Sequence, residues 1–366
     1  MDERKRLEEL RGQIAEIDQE ILHIIERRAR VAQELSKLRP GTSRYAPLAE
    51  ASDLQSLERA APTQIPAAAI RPIFTAIDAA CRSSEVAPRV VFVGAEGDFG
   101  WQAAREHFGH GPEFVRVEAT GAALDEVTRS RADFAVVPYE SFTEGPIFPT
   151  LLAIGGADLK VVGERELSQA LVLVSRSGNL AEVEKVYTSP QDHVACVRYL
   201  ELHHPRALVL DVRSPLMAWD LAAEEANAAA VVPRGFTGSR ELKVARENIG
   251  DEGEVRIRYG IVSRLPAPRS GHDTTAVLFS VRDRPGALHD ILHHFKERNC
   301  NLRRIHSRPI PGEGWEYVFY VEVGGHSTDR TLVAALEGVK REAKMLKILG
   351  SFPLERLDAS PPPERL

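Results

Sequence analysis

The sequence predicts a multidomain protein with an all-α segment, then an α/β block, then an α+β domain of ferredoxin-like element order. Its 366 residues exceed the size of one ordinary domain. The hydrophobic pattern changes at Arg89, and again after a linker at 265–272 that contains two prolines and a glycine. The predicted parts are 1–86, 89–264 and 273–354, followed by a disordered tail at 355–366.

A long first helix is predicted from apolar residues at heptad spacing, a stripe typical of a helix that packs on other helices. The stripe consists of Leu7, Leu10, Ile14, Ile17, Ile21, Ile24, Val31 and Leu35. Arg28 occupies one of its positions, where a charge is costly unless it meets an anionic partner. Two shorter helices are predicted at 49–60 and 70–83.

The middle block begins with an apolar strand at 90–93, a turn at Gly94 and a helix from about Trp101. Helical segments separate the later strands, and this alternation is typical of α/β layers. The later strands are predicted at 134–138, 159–162, 170–174, 207–212, 228–232 and 259–262.

The C-terminal part has the predicted order β-α-β-β-α-β, which is the ferredoxin-like order. Its elements are predicted at 275–281, 287–298, 302–309, 315–323, 329–342 and 345–352.

The composition favours a small-molecule function. Lys and Arg total 47 against 53 acidic residues, so the net charge of -6 gives no general attraction to nucleic acid or anionic membranes. No apolar run reaches the roughly 18 residues of a membrane helix, and we expect a cytoplasmic protein. The three cysteines and the paired histidines lack the spacing of a disulfide framework or a metal site. We therefore expect no metal and no cofactor.

The C-terminal part carries the most specific motif. Gly286 follows a proline between the first predicted strand and helix, where free N–H groups suit a carboxylate. Together with Ser307-Arg308-Pro309 and the segment 346–353, this turn resembles the ACT regulatory domain of prephenate dehydratases. The resemblance implies phenylalanine binding at a dimer interface by Gly286, Ala287, Leu288, Ser307, Arg308 and Pro309.

From end to end the chain resembles the bifunctional chorismate mutase/prephenate dehydratases. In the middle block the resemblance rests on segments such as 94–99, 132–138 and 186–191. It implies a helical mutase, a dehydratase of two subdomains with a cleft between them, and an ACT regulator. It also implies chorismate and prephenate as substrates, phenylalanine as effector, and a homodimer.

For the mutase the resemblance implies cationic side chains that hold a chorismate dianion. Arg11 and Arg28 match the family motif, and a ligand-facing role accounts for Arg28 within the apolar stripe. Arg39 stands where the family has a lysine, and Ala49 stands where it has an arginine. These two changes predict weakened mutase activity. The predicted substrate-binding set is Arg11, Arg28, Arg39, Glu50 and Glu85.

For the dehydratase the leaving hydroxyl of prephenate needs a proton donor. The resemblance assigns this chemistry to a Thr-Arg-Phe motif, which reads Ile257-Arg258-Tyr259 here and has lost the hydroxyl. Asp98 stands where the family has a hydroxyl residue, and Ala170 where it has a histidine. The predicted catalytic set is Arg258, Ile257, Thr143 and Glu140.

Three hypotheses remain open at this point. The first is an enzyme of phenylalanine biosynthesis that performs both reactions and is inhibited through the ACT domain. The second is a catalytically impaired regulator that senses an aromatic amino acid. The third is an enzyme that decarboxylates prephenate without loss of hydroxide, which needs no acid at Ile257.

Overall fold

A computed structural model gives the fold. It describes residues 3–37, 56–57, 59–60, 62, 64–82, 87–109, 111–142, 145–236, 238, 240–309 and 317–354. The predicted fold class is confirmed, because a helical part, an α/β part and an α+β part follow in that order. The predicted tail at 355–366 and most of the predicted helix at 49–60 lie outside the described residues.

The N-terminal part contains α1 (Glu3–Lys37) and α2 (Ala67–Arg82), which pack on each other. The heptad pattern predicts α1 correctly, and at 35 residues the helix is about 52 Å long. Its apolar stripe is open to solvent in the single chain: Ile14 is 59% exposed and Ile24 is 67% exposed. The stripe therefore has no apolar partner of matching length among the described residues of one chain.

The first lobe of the middle block is a sheet of order β2-β1-β3-β11-β5, with β4 beside β3. Strand β1 is parallel to both neighbours, and β11 is antiparallel to β3 and β5. The elements of this lobe are β1 (Arg89–Val93), α3 (Phe99–Phe108), β2 (Glu113–Val117), α4 (Thr120–Thr128), β3 (Phe134–Ser141), β4 (Gly145–Pro146), α5 (Phe148–Gly156), β5 (Lys160–Gln169) and β11 (Val255–Ser263).

The second lobe is a sheet of order β10-β6-β9-β7-β8. Its central strand β9 reads Ala-Ala-Ala-Val-Val-Pro and is buried along its whole length, as expected for a strand covered on both faces. The chain passes between the lobes twice, from β5 to β6 and from β10 to β11. The elements are β6 (Leu171–Ser175), a 3-10 turn (Leu180–Glu182), β7 (Lys185–Thr188), α6 (Pro190–His203), β8 (Leu208–Asp211), α7 (Pro215–Glu224), β9 (Ala228–Pro233) and β10 (Lys243–Arg246).

The C-terminal domain is a sheet of order β13-β14-β12-β15 with two helices on one face. Its other face packs directly on the first lobe, and Leu278, Tyr320 and Phe352 share one apolar core with Val137 and Leu151. The first lobe and this domain are therefore one packed unit. The elements are β12 (Asp273–Ser280), α8 (Ala287–Glu297), β13 (Leu302–Pro309), β14 (Tyr317–Gly324), α9 (Arg330–Glu342) and β15 (Met345–Pro353).

Some predicted bounds differ from the observed ones. Strands β2 and β10 were not predicted, because charged residues interrupt the few apolar residues in their sequences. Strand β11 begins at Val255, four residues before its predicted start, because pairing with both β3 and β5 extends it. Within the described parts of the chain, none of the helices combines the length and the apolar character needed to span a bilayer.

Candidate active-site cleft and a buried ionic cluster

The cleft lies where the C-terminal ends of parallel strands from the two lobes meet. The turn after β1 leads into α3 with Asp98 as its N-cap, and the turn after β7 leads into α6 with Ser189 as its N-cap. Ligands of open α/β sheets bind outside the C-terminal ends of strands, where helix N-termini also present free N–H groups. The fold therefore places these two turns at the position expected for a substrate.

The turn that carries Asp98 hydrogen-bonds one oxygen of its carboxyl group. Its Oδ2 accepts the backbone N–H of Ala95 at 2.7 Å. Its Oδ1 is buried and has no hydrogen-bond partner among the described residues. Burial raises the pKa of Asp98 to about 6. This carboxyl group thus has one buried oxygen without a hydrogen-bond partner among the described residues, and a pKa of about 6.

Asp192 is the second acid of the cleft and lies in the first turn of α6. Asp192 is 1% exposed, and Ser189 Oγ donates a hydrogen bond to its Oδ2 at 2.8 Å. Burial raises the pKa of Asp192 to about 7, the hydrogen bond from Ser189 opposes this shift, and the negative charge of Asp98 adds a smaller rise. The two acids come from different lobes.

Strand β11 lines the same region from the first lobe. Ile257 and Tyr259 lie on one face of the strand, in an apolar cluster with Phe99 of α3. Burial raises the pKa of Tyr259, and the charges of Asp98 and Asp192 raise it further. Ile257 is 5% exposed and has no proton to donate.

The two lobes touch at Gly97. A Cβ atom on this residue would lie 2.7 Å from the ring of Phe236, which belongs to the second lobe. Gly97 also has φ of +92°, a conformation that other residues adopt only with strain. The Gln102 amide donates to the Gly97 carbonyl at 3.0 Å and fixes the turn. A glycine is therefore required for this approach of the lobes.

Arg258 points to the opposite face of β11, away from Tyr259, toward the C-terminal domain. Its guanidinium donates hydrogen bonds to Glu140 and Glu164 of the first lobe and, at 2.8 Å, to Glu322 of β14. The Tyr139 hydroxyl also donates to Glu164, at 2.6 Å. The Arg258 side chain is 7% exposed. We refer to this group together with Arg304 and Tyr320 as the Arg258 cluster.

The C-terminal domain supplies the rest of the cluster. Arg304 of β13 donates to both oxygens of Glu140, at 2.8 Å and 2.7 Å, and lies 3.3 Å from Glu322. The Tyr320 hydroxyl donates to Glu322 at 2.7 Å. Burial raises the pKa of Glu164, and the charge of Arg258 opposes that shift. Three carboxyl groups thus share two guanidinium groups across a domain boundary, beside a cavity of 450 Å³.

In the N-terminal part, Arg28 has a carboxylate partner and an unused donor. Its Nη2 donates to Asp78 of α2 at 2.9 Å. Its Nη1 is buried without a hydrogen-bond partner among the described residues. Arg11 lies on the same helix and is exposed. Because the two arginines are roughly five turns and about 26 Å apart, they cannot contact one small molecule within a single chain.

The predicted effector segments lie on two elements of the C-terminal domain. Gly286 is the N-cap of α8 with φ of +81°, and Ala287 and Leu288 form the first turn. Ser307, Arg308 and Pro309 end β13, which is the edge strand of the sheet and pairs only with β14 among the described strands. A second chain can therefore approach this edge without displacing a strand.

The structure brings together only some of the predicted site residues. Arg258 and Glu140 are in direct contact, whereas Ile257 is buried in the apolar cluster on the other face of the sheet. Asp192, Arg304 and Glu322 are not among the residues predicted from the sequence, and Glu164 enters only as part of the Gly163-Glu164 segment of the resemblance. A charged residue within an apolar strand or at a helix start does not identify its partner. Four predicted residues lie outside the described residues: Arg39, Glu50, Glu85 and Thr143.

Three family models match the chain in the predicted order. The chorismate mutase type II model matches residues 10–86, and the prephenate dehydratase model matches residues 90–267. The ACT domain model matches residues 275–341. The three matches correspond to the helical part, the two-lobed block and the C-terminal domain.

Relatives are similar over nearly their whole length. The chain is 32% identical over 355 residues to the bifunctional chorismate mutase/prephenate dehydratase of Aquifex aeolicus, covering 95% of this chain and 98% of that protein. It is 31% identical to the protein of the same description from Stutzerimonas stutzeri, covering 96% and 99%. The prephenate dehydratase from Arthrobacter aurescens, solved in complex with L-Phe, is 30% identical with a TM-score of 0.62, covering 73% of this chain and 90% of that one.

Proposed function

The chain belongs to the family of bifunctional chorismate mutase/prephenate dehydratases, and we propose on that basis that it catalyses both reactions. It converts chorismate to prephenate in the helical part and prephenate to phenylpyruvate in the two-lobed block. The observation that carries the proposal is the end-to-end match to a bifunctional relative, with the three family models in the same order. The protein then serves phenylalanine biosynthesis.

The dehydratase site is the cleft between the lobes. Helix N-termini at Asp98 and Ser189 supply N–H groups near the place where the carboxylates of prephenate would lie. Ile257 is buried in the apolar cluster behind the turn at Asp98, and its catalytic role stays a proposal from the resemblance. We propose an indirect role for Arg258 and Glu140: their contacts hold β11 in register with β3, and β11 positions the residues that face the substrate. The role of Thr143 stays a proposal from the resemblance.

The mutase site needs a second copy of the chain. The Nη1 of Arg28 is buried with no hydrogen-bond partner among the described residues, and Arg11 is too far along the same helix to join it. An antiparallel second α1 brings its own Arg11 beside Arg28 and covers the exposed stripe. The proposed assembly is therefore a homodimer, in which Arg39, Glu50 and Glu85 complete the site.

The ACT domain is proposed to bind phenylalanine and to reduce dehydratase activity. The relative solved with L-Phe supports an amino-acid ligand for this domain. The proposed contacts are the α8 N-terminus at Gly286 and the edge strand at Ser307 to Pro309, completed across two copies. The proposed location is the cytoplasm, and the three cysteines form no disulfide.

The test follows both substrates by chromatography. Purified full-length protein is incubated with chorismate or prephenate, with and without phenylalanine, beside a protein-free control. We expect prephenate and then phenylpyruvate from chorismate, and suppression of phenylpyruvate by phenylalanine. Unchanged prephenate contradicts the proposal and favours the regulator hypothesis. A product that retains the hydroxyl favours the altered decarboxylation.

The variant Arg28→Ala separates the two activities. It removes the buried donor of the mutase site and leaves the cleft unchanged. We expect chorismate turnover to fall at least about 100-fold, as for loss of a contact to developing charge, while prephenate turnover stays within about twofold. Equal losses of both activities contradict the assignment of Arg28 to the mutase.

A further inference from the structure

Strand β13 of the C-terminal domain presents alternate side chains to the two faces of its sheet. Residues directly opposite each other in an antiparallel pair lie on the same face. Arg304, His306 and Arg308 stand opposite residues of β14 whose side chains face the first lobe. Ser307 stands opposite Phe319, which packs with α8 and α9 on the other face. One strand therefore carries both lobe-facing residues and part of the proposed effector segment.

The lobe-facing side chains of β13 approach three elements of the first lobe. The Nη1 group of Arg304 donates to both carboxylate oxygens of Glu140 on β3, at 2.8 Å and 2.7 Å. His306 Nε2 lies 3.9 Å from the same carboxylate, and a Cβ atom on Gly145 of β4 would lie 3.7 Å from His306 Nδ1. The Arg308 guanidinium lies 5.9 Å from the centre of the ring at the start of α5. The closest of these contacts joins Arg304 to Glu140.

Glu140 connects this contact with strand β11. It stands opposite Arg258 in the sheet, and the two side chains form an ion pair. A bulge interrupts the pairing of β11 with β3 between Arg258 and Tyr259, and bulges change the direction of the side chains beside them. Tyr259 packs against the first turn of α3, where a Cβ atom on Gly100 would lie 3.6 Å from its ring. Contacts therefore run from β13 to the helix whose N-terminus borders the cleft.

The charges of the Arg258 cluster allow a second pairing of Arg304. Three carboxyl groups share two guanidinium groups, and the Arg304 Nε already lies 3.3 Å from Glu322. The side chain of Arg304 is 35% exposed, whereas that of Arg258 is 7% exposed. Both arginines and Glu322 line the cavity of 450 Å³, so Arg304 has room to move. A shift of β13 can leave Arg304 paired with Glu322 alone and release Glu140.

We propose that the ion pair of Arg304 with Glu140 couples the effector site to the dehydratase cleft. Phenylalanine at the effector site shifts β13, and Arg304 then pairs with Glu322 alone. Ser307 is three residues from Arg304, about 10 Å along the strand, so a shift at one is carried to the other. Released Glu140 no longer holds the β11 bulge, and Tyr259 no longer fixes the first turn of α3. The inference rests on the proposed function and names the residue through which the ACT domain regulates it.

The test is Arg304→Gln in the full-length protein. Glutamine is uncharged and shorter, so the variant should resemble the state in which Glu140 is released. Its prephenate turnover without phenylalanine should fall to about the level of wild type saturated with phenylalanine. Allosteric coupling usually amounts to about 5- to 150-fold. Saturating phenylalanine should therefore lower wild-type turnover at least about fivefold and that of Arg304→Gln less than about twofold.

Calorimetric titration with phenylalanine separates coupling from binding. Because phenylalanine favours the released state, linkage requires that a variant already in this state binds phenylalanine as tightly as wild type or more tightly. A Kd raised more than about fivefold shows that Arg304 belongs to the effector site itself, which overturns the coupling role. Inhibition of Arg304→Gln to the wild-type extent also overturns it.

Two further variants are the controls. Arg303→Gln makes the same substitution one residue earlier, where the side chain is exposed and lies beside Gly324 of its own domain, and it should be inhibited like wild type. Arg304→Lys keeps a positive charge opposite Glu140 and should recover part of the inhibition. Equal insensitivity of Arg304→Lys and Arg304→Gln overturns an ionic link. Absence of phenylpyruvate formation by wild type contradicts the proposed function itself, whereas inhibition of both wild type and Arg304→Gln contradicts the coupling alone.

Discussion

Replacing Arg258 by leucine tests whether this residue stabilises the boundary between the first lobe and the C-terminal domain or binds substrate. The side chain donates hydrogen bonds to Glu140, Glu164 and Glu322 and is 7% exposed. In Arg258→Leu, Arg304 is left as the only guanidinium of the cluster. Removing one partner from a buried ion pair destabilises a protein by about 3 to 5 kcal/mol, because the other charge stays buried.

Differential scanning calorimetry of the full chain measures the effect. The first lobe and the C-terminal domain share a core and should unfold in one transition. For a unit of this size, about 3 to 5 kcal/mol corresponds to a midpoint lower by about 6 to 20 °C. The matched control is Arg256→Leu on the same strand, because Arg256 is exposed and its guanidinium lies over the ring of Phe142. The control should change stability by less than about 1 kcal/mol.

The pH dependence gives a second check on the same variant. Burial raises the pKa of Glu164. At high pH, where Glu164 is ionised, its buried charge therefore lowers the stability of the folded state, and at low pH, where Glu164 is protonated, this effect is absent. Arg258 offsets this at high pH. The stability deficit of Arg258→Leu should therefore be largest at high pH and shrink toward pH of about 5. A deficit equal to that of Arg256→Leu, or a raised KM for prephenate with unchanged stability, refutes the structural role.

Three further predictions address the cleft, the dimer and the effector site. In Gly97→Ala the added methyl group strains the turn and clashes with the ring of Phe236, so KM for prephenate should rise about tenfold in steady-state assays. The control is Gly121→Ala, where the methyl group enters open space. Equal KM values for the two variants contradict the argument that the lobes close at Gly97. Ile14→Glu places a charge in the exposed stripe of α1 and should dissociate the proposed dimer in sedimentation experiments, with loss of mutase activity. Leu22→Glu, off the stripe, is the control and should leave both unchanged; a dimer that persists in Ile14→Glu rules out the stripe as the interface. Gly286→Ala adds a methyl group in open space but strains a residue with φ of +81°. The phenylalanine concentration for half inhibition should rise about tenfold, and turnover without phenylalanine should stay unchanged. Unchanged inhibition argues against this turn as a contact of phenylalanine.

The organisation into three parts follows from the sequence because it depends on local patterns. The heptad stripe of α1 indicates a long helix whatever it packs against, and the observed helix runs from Glu3 to Lys37. The β-α-β-β-α-β order of the last domain is likewise visible in alternating segments, and the structure confirms it. The family resemblance, which rests on short motifs in all three parts, is confirmed by the matches to relatives of similar length.

The sequence by itself determined the fold class, the order of the parts and the presence of unusual residues such as Ile257 and Asp98. Only the tertiary structure decided which residues meet. Alternation along β11 sends Tyr259 into the apolar cluster with Phe99 and Arg258 to the C-terminal domain, and the docking of that domain brings Glu322 and Arg304 to Arg258. Gly97 of the first lobe reaches Phe236 of the second because the two lobes face each other. These contacts join residues distant in the chain, and such pairings depend on the packing of whole sheets, which local periodicity does not encode.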